Sequence, residues 1–286
     1  MTETPENIKP DELKPPEKMK KERGNKGIGV HAKFARAIGK ANDDKVIMWT
    51  FKWGWTTERV LMLVLGIKYR PATRLVQKGI LRKVETPPKT ETAYVLTAPA
   101  AERAIELYED GILGYPYLRS RIPESNLNHE EMSQFLTIFN REFEEDSYLA
   151  VREFNNGKKG AVPDFIINKA RGDADIREWH ETELTPKKGN ELYFKIQERF
   201  DSFKNGKYDR LVWHFNSPGV LKSYKETMEK DMLPRVIKDR ESGKYYVDKN
   251  QVGFDPRELG KVSKFNLIAT EKEKYFEKQE QKNALE

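Results

Sequence analysis

The chain has 286 residues, room for about two domains with their own cores, and its 52 Lys+Arg against 46 Asp+Glu leave a net +6, an excess that permits a polyanionic partner without establishing one. It has no cysteine, which excludes disulfide scaffolds, thiolate zinc sites, iron–sulfur clusters and cysteine nucleophiles. The longest apolar run, residues 60–67, is far short of the ~20 residues of a membrane span, and the start has no signal-peptide apolar core; the expectation is a soluble, cytoplasmic chain without membrane insertion.

In chain order, residues 1–43 mix Pro, Lys and Glu with almost no large apolar side chains before Phe34, too little to offset chain entropy, and read as a flexible basic arm. Residues 44–111 read as a first packed unit. Trp49, Trp53 and Trp55 stand at its entry as core anchors and a hinge. Thr56 can cap a helix with Glu58 in its first turn and Val60, Leu61, Val64 and Leu65 on its apolar face, ended by Gly66. A second helix begins at Pro71, burying Ala72, Leu75 and Val76 at helical spacing until Gly79 stops it. Residues 80–85 and 93–97 read as strands around a Pro87-Pro88 turn, and Thr97 with Pro99 opens a third helix.

Helix, short turn, helix, β-hairpin is the order of a winged helix-turn-helix. Its second helix would enter the major groove with Arg74 and Gln77 at base edges and Thr73 on the same DNA-facing side, while Lys68, Arg70, Lys78 and the hairpin's Arg82, Lys83 and Lys89 neutralise phosphates. The competing reading is a protein-docking module whose basic face is merely solvated.

Residues 112–127 read as a linker and 128–245 as a second domain. Asn128 and Glu131 form an N-terminal capping pair; the helix they open carries Met132, Phe135, Leu136, Phe139 and Phe143 on one side, with His129 directed inward. Three strands follow at 148–154, 162–167 and 176–184, then a helix at 190–203, a strand at 211–215 and a helix after Ser217-Pro218. This order predicts an α/β (α+β) sandwich with a mixed central sheet. Residues 246–286 read as a charged C-terminal tail.

Asp164 lies in the second of these strands, and Glu181 and Glu183, two apart on the third, share a face. A hairpin turning near Gly172 and Asp173 sets Asp164 opposite Glu181, so three carboxylates converge. Hard oxygen ligands at this density suit Mg²⁺ or Mn²⁺, with phosphodiester cleavage as the matching chemistry. Lys187, Lys188 and Lys195 follow closely enough to hold a phosphate or orient water. The alternative is a polar hairpin whose carboxylates pair with Arg177, Lys187 or solvent. Glu142 and Glu144 can reach the same place from the preceding helix. His129 reads either as a hydrogen-bonded helix-entry histidine or as a contact to phosphate or metal.

Pro163-Asp164, sixteen intervening residues and Glu181-Thr182-Glu183 resemble the PD-(D/E)XK nuclease signature in its Glu-x-Glu variant, Asp164 and Glu181 matching metal ligands. Glu183 stands where the commoner pattern has lysine, which leaves Glu183 or Lys195 as the water activator. Over roughly residues 45–215 the order of winged helix, Leu127-Asn128-His129, Val162-Pro163-Asp164, Glu-x-Glu and lysine-bearing helix resembles the replication-relaxation group and the MobC-type relaxases of mobilisable plasmids. The resemblance implies metal-dependent nicking of origin DNA on a mobile element, His129-Glu130 matching an upstream motif, and other mobilisation proteins as partners. His31, His129, His180 and His214 contain no His-x-His pair, so a paired-histidine relaxase site is excluded. No tyrosine stands out as a covalent nucleophile, Tyr148, Tyr193 and Tyr208 being placed as ordinary core aromatics; hydrolysis is expected. A DNA-binding initiator or regulator with an inactive nuclease-like domain, and a restriction- or resolvase-type double-strand endonuclease, are the alternatives.

Overall fold

A computed structural model describes residues 30–88, 90–108, 122, 124–141, 146–150, 153, 161–171 and 174–285. It is a mixed α/β structure. Helix α1, Val30–Trp53, runs across the expected end of the flexible arm at residue 43. The reason lies in its second half, where Val46, Ile47, Trp49, Phe51 and Trp53 are buried and recruit the preceding charged turns into the same helix. Residues 1–29 of the expected arm lie outside the described residues, as do Lys89, Glu142 and Glu144.

After α1 come β1 (Thr56–Thr57), α2 (Glu58–Leu65), α3 (Ala72–Gln77), β2 (Leu81–Val84), β3 (Ala93–Leu96) and α4 (Ala98–Leu107). Thr57, not Thr56, caps α2, its hydroxyl accepting from Val60 N. Gly66 closes α2 at φ 63°, where its N–H reaches Leu63 O and that of Ile67 reaches Met62 O, a backbone conformation that favours glycine. The short strand β1, unforeseen from sequence, pairs with β3, giving the antiparallel order β1-β3-β2. Ala72 and Leu75 of α3 and Leu61 of α2 pack with Val46, Ile47 and Phe51 of α1 and with Leu81, Tyr94 and Leu96 of the sheet.

Much of the expected linker, residues 109–121 and 123, lies outside the described residues. Its end is no free spacer: Ile122 is fully buried beside Trp55, Val84 and Val95, and its N–H donates to Glu85 O at 3.1 Å. Helix α5, Glu124–Asn140, starts four residues before the expected cap at Asn128.

The second sheet has five strands in the order β10-β7-β6-β5-β4: β4 (Ser147–Ala150), β5 (Phe165–Arg171), β6 (Ala174–Glu183), β7 (Arg210–Phe215) and β10 (Ser263–Leu267). The pairs β4–β5 and β5–β6 are antiparallel, and β6–β7 and β7–β10 are parallel. The crossover from β6 to β7 is helix α6, Gly189–Lys204, as a parallel connection requires. On one face Ile166, Trp179, Trp213 and Phe215 pack against Leu192, Ile196 and Phe200 of α6 and Val220 and Tyr224 of α7, Pro218–Met228. On the other, Phe165 and Ile167 pack with Leu136 of α5, Ile268, and Trp49 and Trp53 of α1. The tryptophans are therefore fixed in a core shared with the sheet.

The reading of residues 246–286 as a tail is overturned. β8 (Val236–Lys238) and β9 (Tyr245–Val247) form a small hairpin, so residue 245 falls inside a strand; α8 (Arg257–Val262) follows, β10 completes the sheet, and α9 (Ile268–Leu285) leads away from it. Within β10 the apolar residues are only Phe265 and Leu267, too few for a periodicity signal. Its partner β7, buried on both faces, has a second edge to satisfy, and a parallel strand supplies the hydrogen bonds.

Candidate functional site

The hairpin register brings the acidic residues together as expected. Phe165 pairs with His180 and the ladder closes toward Arg171–Ala174, around the expected turn. Asp164 itself lies one residue before β5, its N–H donating to His180 O at 3.0 Å and its Oδ2 accepting from Thr182 N at 2.6 Å. Glu181 and Glu183 are 0% and 1% exposed on the α6 side of β6, while Thr182 between them faces α5, its hydroxyl 3.1 Å from Ser133 Oγ.

Cations meet these buried carboxylates at once. Lys195 Nζ, from α6, lies 2.6 Å from Glu181 Oε2 and 3.3 Å from Glu183 Oε1. Arg199, one helical turn on and 3% exposed, brings Nε to 2.5 Å from Glu181 Oε1 and donates from Nη2 to Val162 O at 3.1 Å. Lys187 pairs with Glu183. Burial would raise Glu181, but the charges of Arg199 and Lys195 outweigh it and hold the carboxyl below its usual range. Burial likewise opposes the charge on Lys195 and Arg199, and the glutamates prevail, lifting both above their ordinary values. Asp164 goes the other way: burial pushes it up, His129 and Lys195 act against that, and the neighbouring Glu181 charge adds to it.

His129 Nε2, on α5, is hydrogen-bonded to Thr182 O at 2.9 Å and lies 3.5 Å from Asp164 Oδ2. It is thus both a hydrogen-bonded helix histidine and a wall of the site. Asn128, His129, Thr182, Glu183, Leu184, Thr185 and Lys187 line a cleft of about 570 Å³. The oxygen-rich donor set is of the kind a hard divalent cation takes, but Glu181 Oε1 and Glu183 Oε1 already face the cations of Arg199 and Lys195. The convergence on one ion is looser than expected from sequence. Among the described residues no three His, Asp or Glu groups stand close enough to hold a metal, and the Lys195 ammonium bridges the two glutamates instead. Arg177, one expected partner, donates from its backbone N–H to Asp209 Oδ2 at 2.8 Å; Lys188 is exposed.

Sequence reasoning missed Arg199, although its i+4 spacing from Lys195 places both on one helical stripe. It also missed Tyr224, which is fully buried behind Glu183 and raised by that burial and by the glutamate's charge. On the other sheet face, His180 Nδ1 and His214 Nε2 share a hydrogen bond of 2.9 Å, and His214 Nδ1 lies 2.6 Å from Glu271 Oε2 of α9. His180 Nε2 is 3.6 Å from Glu178, which Lys169 and Arg210 each hold at 3.0 Å. No sequence periodicity pairs residues from β5, β6, β7 and α9. Burial of Tyr148 and Tyr208 raises their hydroxyls far above neutrality.

In the amino-terminal unit, Lys68, Arg70, Thr73, Arg74, Gln77, Lys78 and Lys83 are exposed, and Arg82 is half-buried. Arg74 and Lys78 are drawn toward α1, lying 3.8 Å and 2.5 Å from Asp43. Tyr69 is 58% exposed in the same basic turn. No helix among the described residues is long and apolar enough to cross a membrane. No family model matches the chain, nor does any curated protein or solved structure.

Proposed function

We propose that the chain is a site-specific DNA endonuclease: a winged helix-turn-helix built from α1–α4 and β1–β3 contacts the DNA, and a PD-(D/E)XK-like domain built on β4–β7 cuts one strand. The carrying observation is the grouping of Asp164, Glu181, Glu183, Lys195 and His129 at one end of the β5–β6 pair, beside a cleft. The order β7-β6-β5-β4 with a helical crossover, and the β1-β3-β2 sheet behind an exposed α3, support the two fold assignments. The relaxase-type reading, nicking of a mobile element's transfer origin, rests on the motif resemblance.

In this reading Asp164, Glu181 and Glu183 would hold Mg²⁺ or Mn²⁺ only after Lys195 gives up its bridge between the two glutamates, and the chemistry such an ion would supply is charge stabilisation at the phosphate and activation of water. Lys187 and Lys195 place positive charge at the cleft, where a phosphate must approach. Lys195, within reach of both glutamates, is the residue suited to the place the commoner motif gives to lysine. His129 is oriented by the Thr182 carbonyl.

A second reading, a DNA-binding initiator or regulator without cleavage, is favoured by the ion pairing already satisfying both glutamates. Supercoiled plasmid carrying the protein's own flanking DNA separates the two. Open circles formed with Mg²⁺ or Mn²⁺, absent with EDTA and with Glu181→Gln, support the nicking nuclease; linear product favours a double-strand endonuclease. Sequence-specific gel shift without strand breakage would leave only the binding protein.

A further inference from the structure

The first turns of α5 serve two sites at once. On one stripe of the helix His129 and Ser133, four residues apart, hold Thr182 and approach Asp164. On the adjoining stripes Glu130, Glu131 and Gln134 hold the amino-terminal unit. Glu130 accepts from Trp55 Nε1; Glu131 accepts from Thr57 Oγ1 at 2.6 Å and pairs with Arg59 at 2.8 Å. Gln134 accepts from Trp49 Nε1 at 2.8 Å and donates to Trp55 O at 3.1 Å. Glu131 is 7% exposed, Gln134 fully buried, and Trp49 and Trp55 are 5% and 0% exposed. Thr57 caps α2, and α2 and α3 share a core with α1, so the clasp reaches α3 through rigid elements.

A second clasp lies away from the site. Lys52 Nζ of α1 pairs with Glu153 at 3.1 Å and donates to Tyr148 O, and Tyr108 donates to the same glutamate at 2.8 Å. Apolar packing alone tolerates sliding, whereas a buried directional hydrogen bond is lost when its partners shift and leaves polar groups unpaired. Two polar clasps in a shared apolar core therefore specify one placement of α3 relative to the acidic cleft.

We infer that Glu130, Glu131 and Gln134 are positioning residues: they set the span between the DNA sequence contacted by α3 and the strand position presented to the cleft lined by His129, Glu183 and Thr185, so that a break falls at one fixed offset. The functional half of this inference rests on the endonuclease reading; the positional half does not. The chain has no cysteine, so two introduced at the exposed positions Gln77 and Thr185 are the only labelling sites for a spin–spin distance measurement across the clasp.

A single narrow distance is expected, broadened or displaced by Glu131→Ala with Gln134→Ala while the melt stays cooperative. A broad distribution in the chain with an intact clasp, or an unchanged narrow one in the folded double variant, would overturn the inference. If the double variant does not fold, Trp49→Phe with Trp55→Phe, which deletes two donors and keeps aromatic bulk, decides by the same criterion. An iron chelate tethered at Thr185→Cys alone then maps the cleft along a duplex selected by the full chain from a randomised pool. Radical cuts confined to one offset, and scattered in the clasp variants, are expected; scattered cuts with the clasp intact overturn the fixed offset. Neither readout needs nuclease activity, so a failure of the endonuclease reading appears separately, as absent nicking with the distance unchanged.

Discussion

At the scale of single residues, the acidic site is a problem of buried charge. Glu181 is fully buried between Arg199 and Lys195, and removing one member of such a group leaves the others uncompensated at a cost of about 3–5 kcal/mol. Glu181→Ala is therefore expected to lower unfolding stability by about that amount in urea, and Glu181→Gln by clearly less. If the endonuclease reading holds, Lys195→Ala reduces cleavage about 10²-fold or more while gel-shift affinity stays near wild type. Acid stability has a second source. Burial holds His180 down to about 4 from its ordinary 6.5, against the opposing pull of Glu178. Between those values the unfolded chain takes up a proton that the folded chain refuses, so stability falls with falling pH across that window, by about 3 kcal/mol in all. Glu271 contributes in the same direction at lower pH: against burial, the adjacent His214 and its hydrogen bond hold the carboxyl below the usual range, and its share is lost as pH falls through that lowered value. Urea titrations at stepped pH should show the slope, and His180→Asn should flatten its upper part.

At the scale of elements, termination and capping were legible because they are local. Gly66 ends α2, Thr97 and Ser217 cap α4 and α7, and Gly189–Lys204 and Arg210–Phe215 fall within one residue of the helix and strand read from apolar spacing. Gly66→Ala, forced to φ 63°, is expected to cost about 1 kcal/mol, as measured by thermal unfolding. What escaped were elements whose reason is a distant partner. β1 is two residues long and exists through pairing with β3, and β10 exists because β7 has an open edge. A chain ending at residue 262 exposes that edge and leaves His214 without Glu271; loss of cooperative melting is expected, and an unaltered melt would contradict the assignment of β10 to the core.

At the scale of the molecule, if the amino-terminal unit binds DNA as proposed, its basic surface decides how that binding responds to salt. If Lys68 and Arg70 contact phosphates, replacing either with Ala lowers the slope of log K against log salt by about 0.9 and weakens all duplexes alike. Thr73→Ala or Gln77→Ala leaves the slope in place and changes the preferred sequence instead. Asp43 bears on the same measurement, since it already engages Arg74 and Lys78; Asp43→Asn releases both and should tighten DNA binding with a steeper salt slope.

By itself the sequence determined the periodic elements and the register of the β5–β6 hairpin, and hence the placing of Asp164 across from the Glu181 end of β6, because strand alternation and turn position are properties of a short stretch. It also placed Thr73, Arg74, Gln77 and Lys78 on the outer side of α3, since helical spacing assigns faces. Tertiary structure alone decided which cations answer the buried glutamates, that Ile122 and the expected tryptophan hinge are buried in core, and that the apparent tail closes the sheet. Each of these depends on contacts between residues far apart in the chain, such as Glu130 with Trp55 or Ser263 with Leu211, and no local pattern encodes a contact whose energy comes from burial with a remote partner.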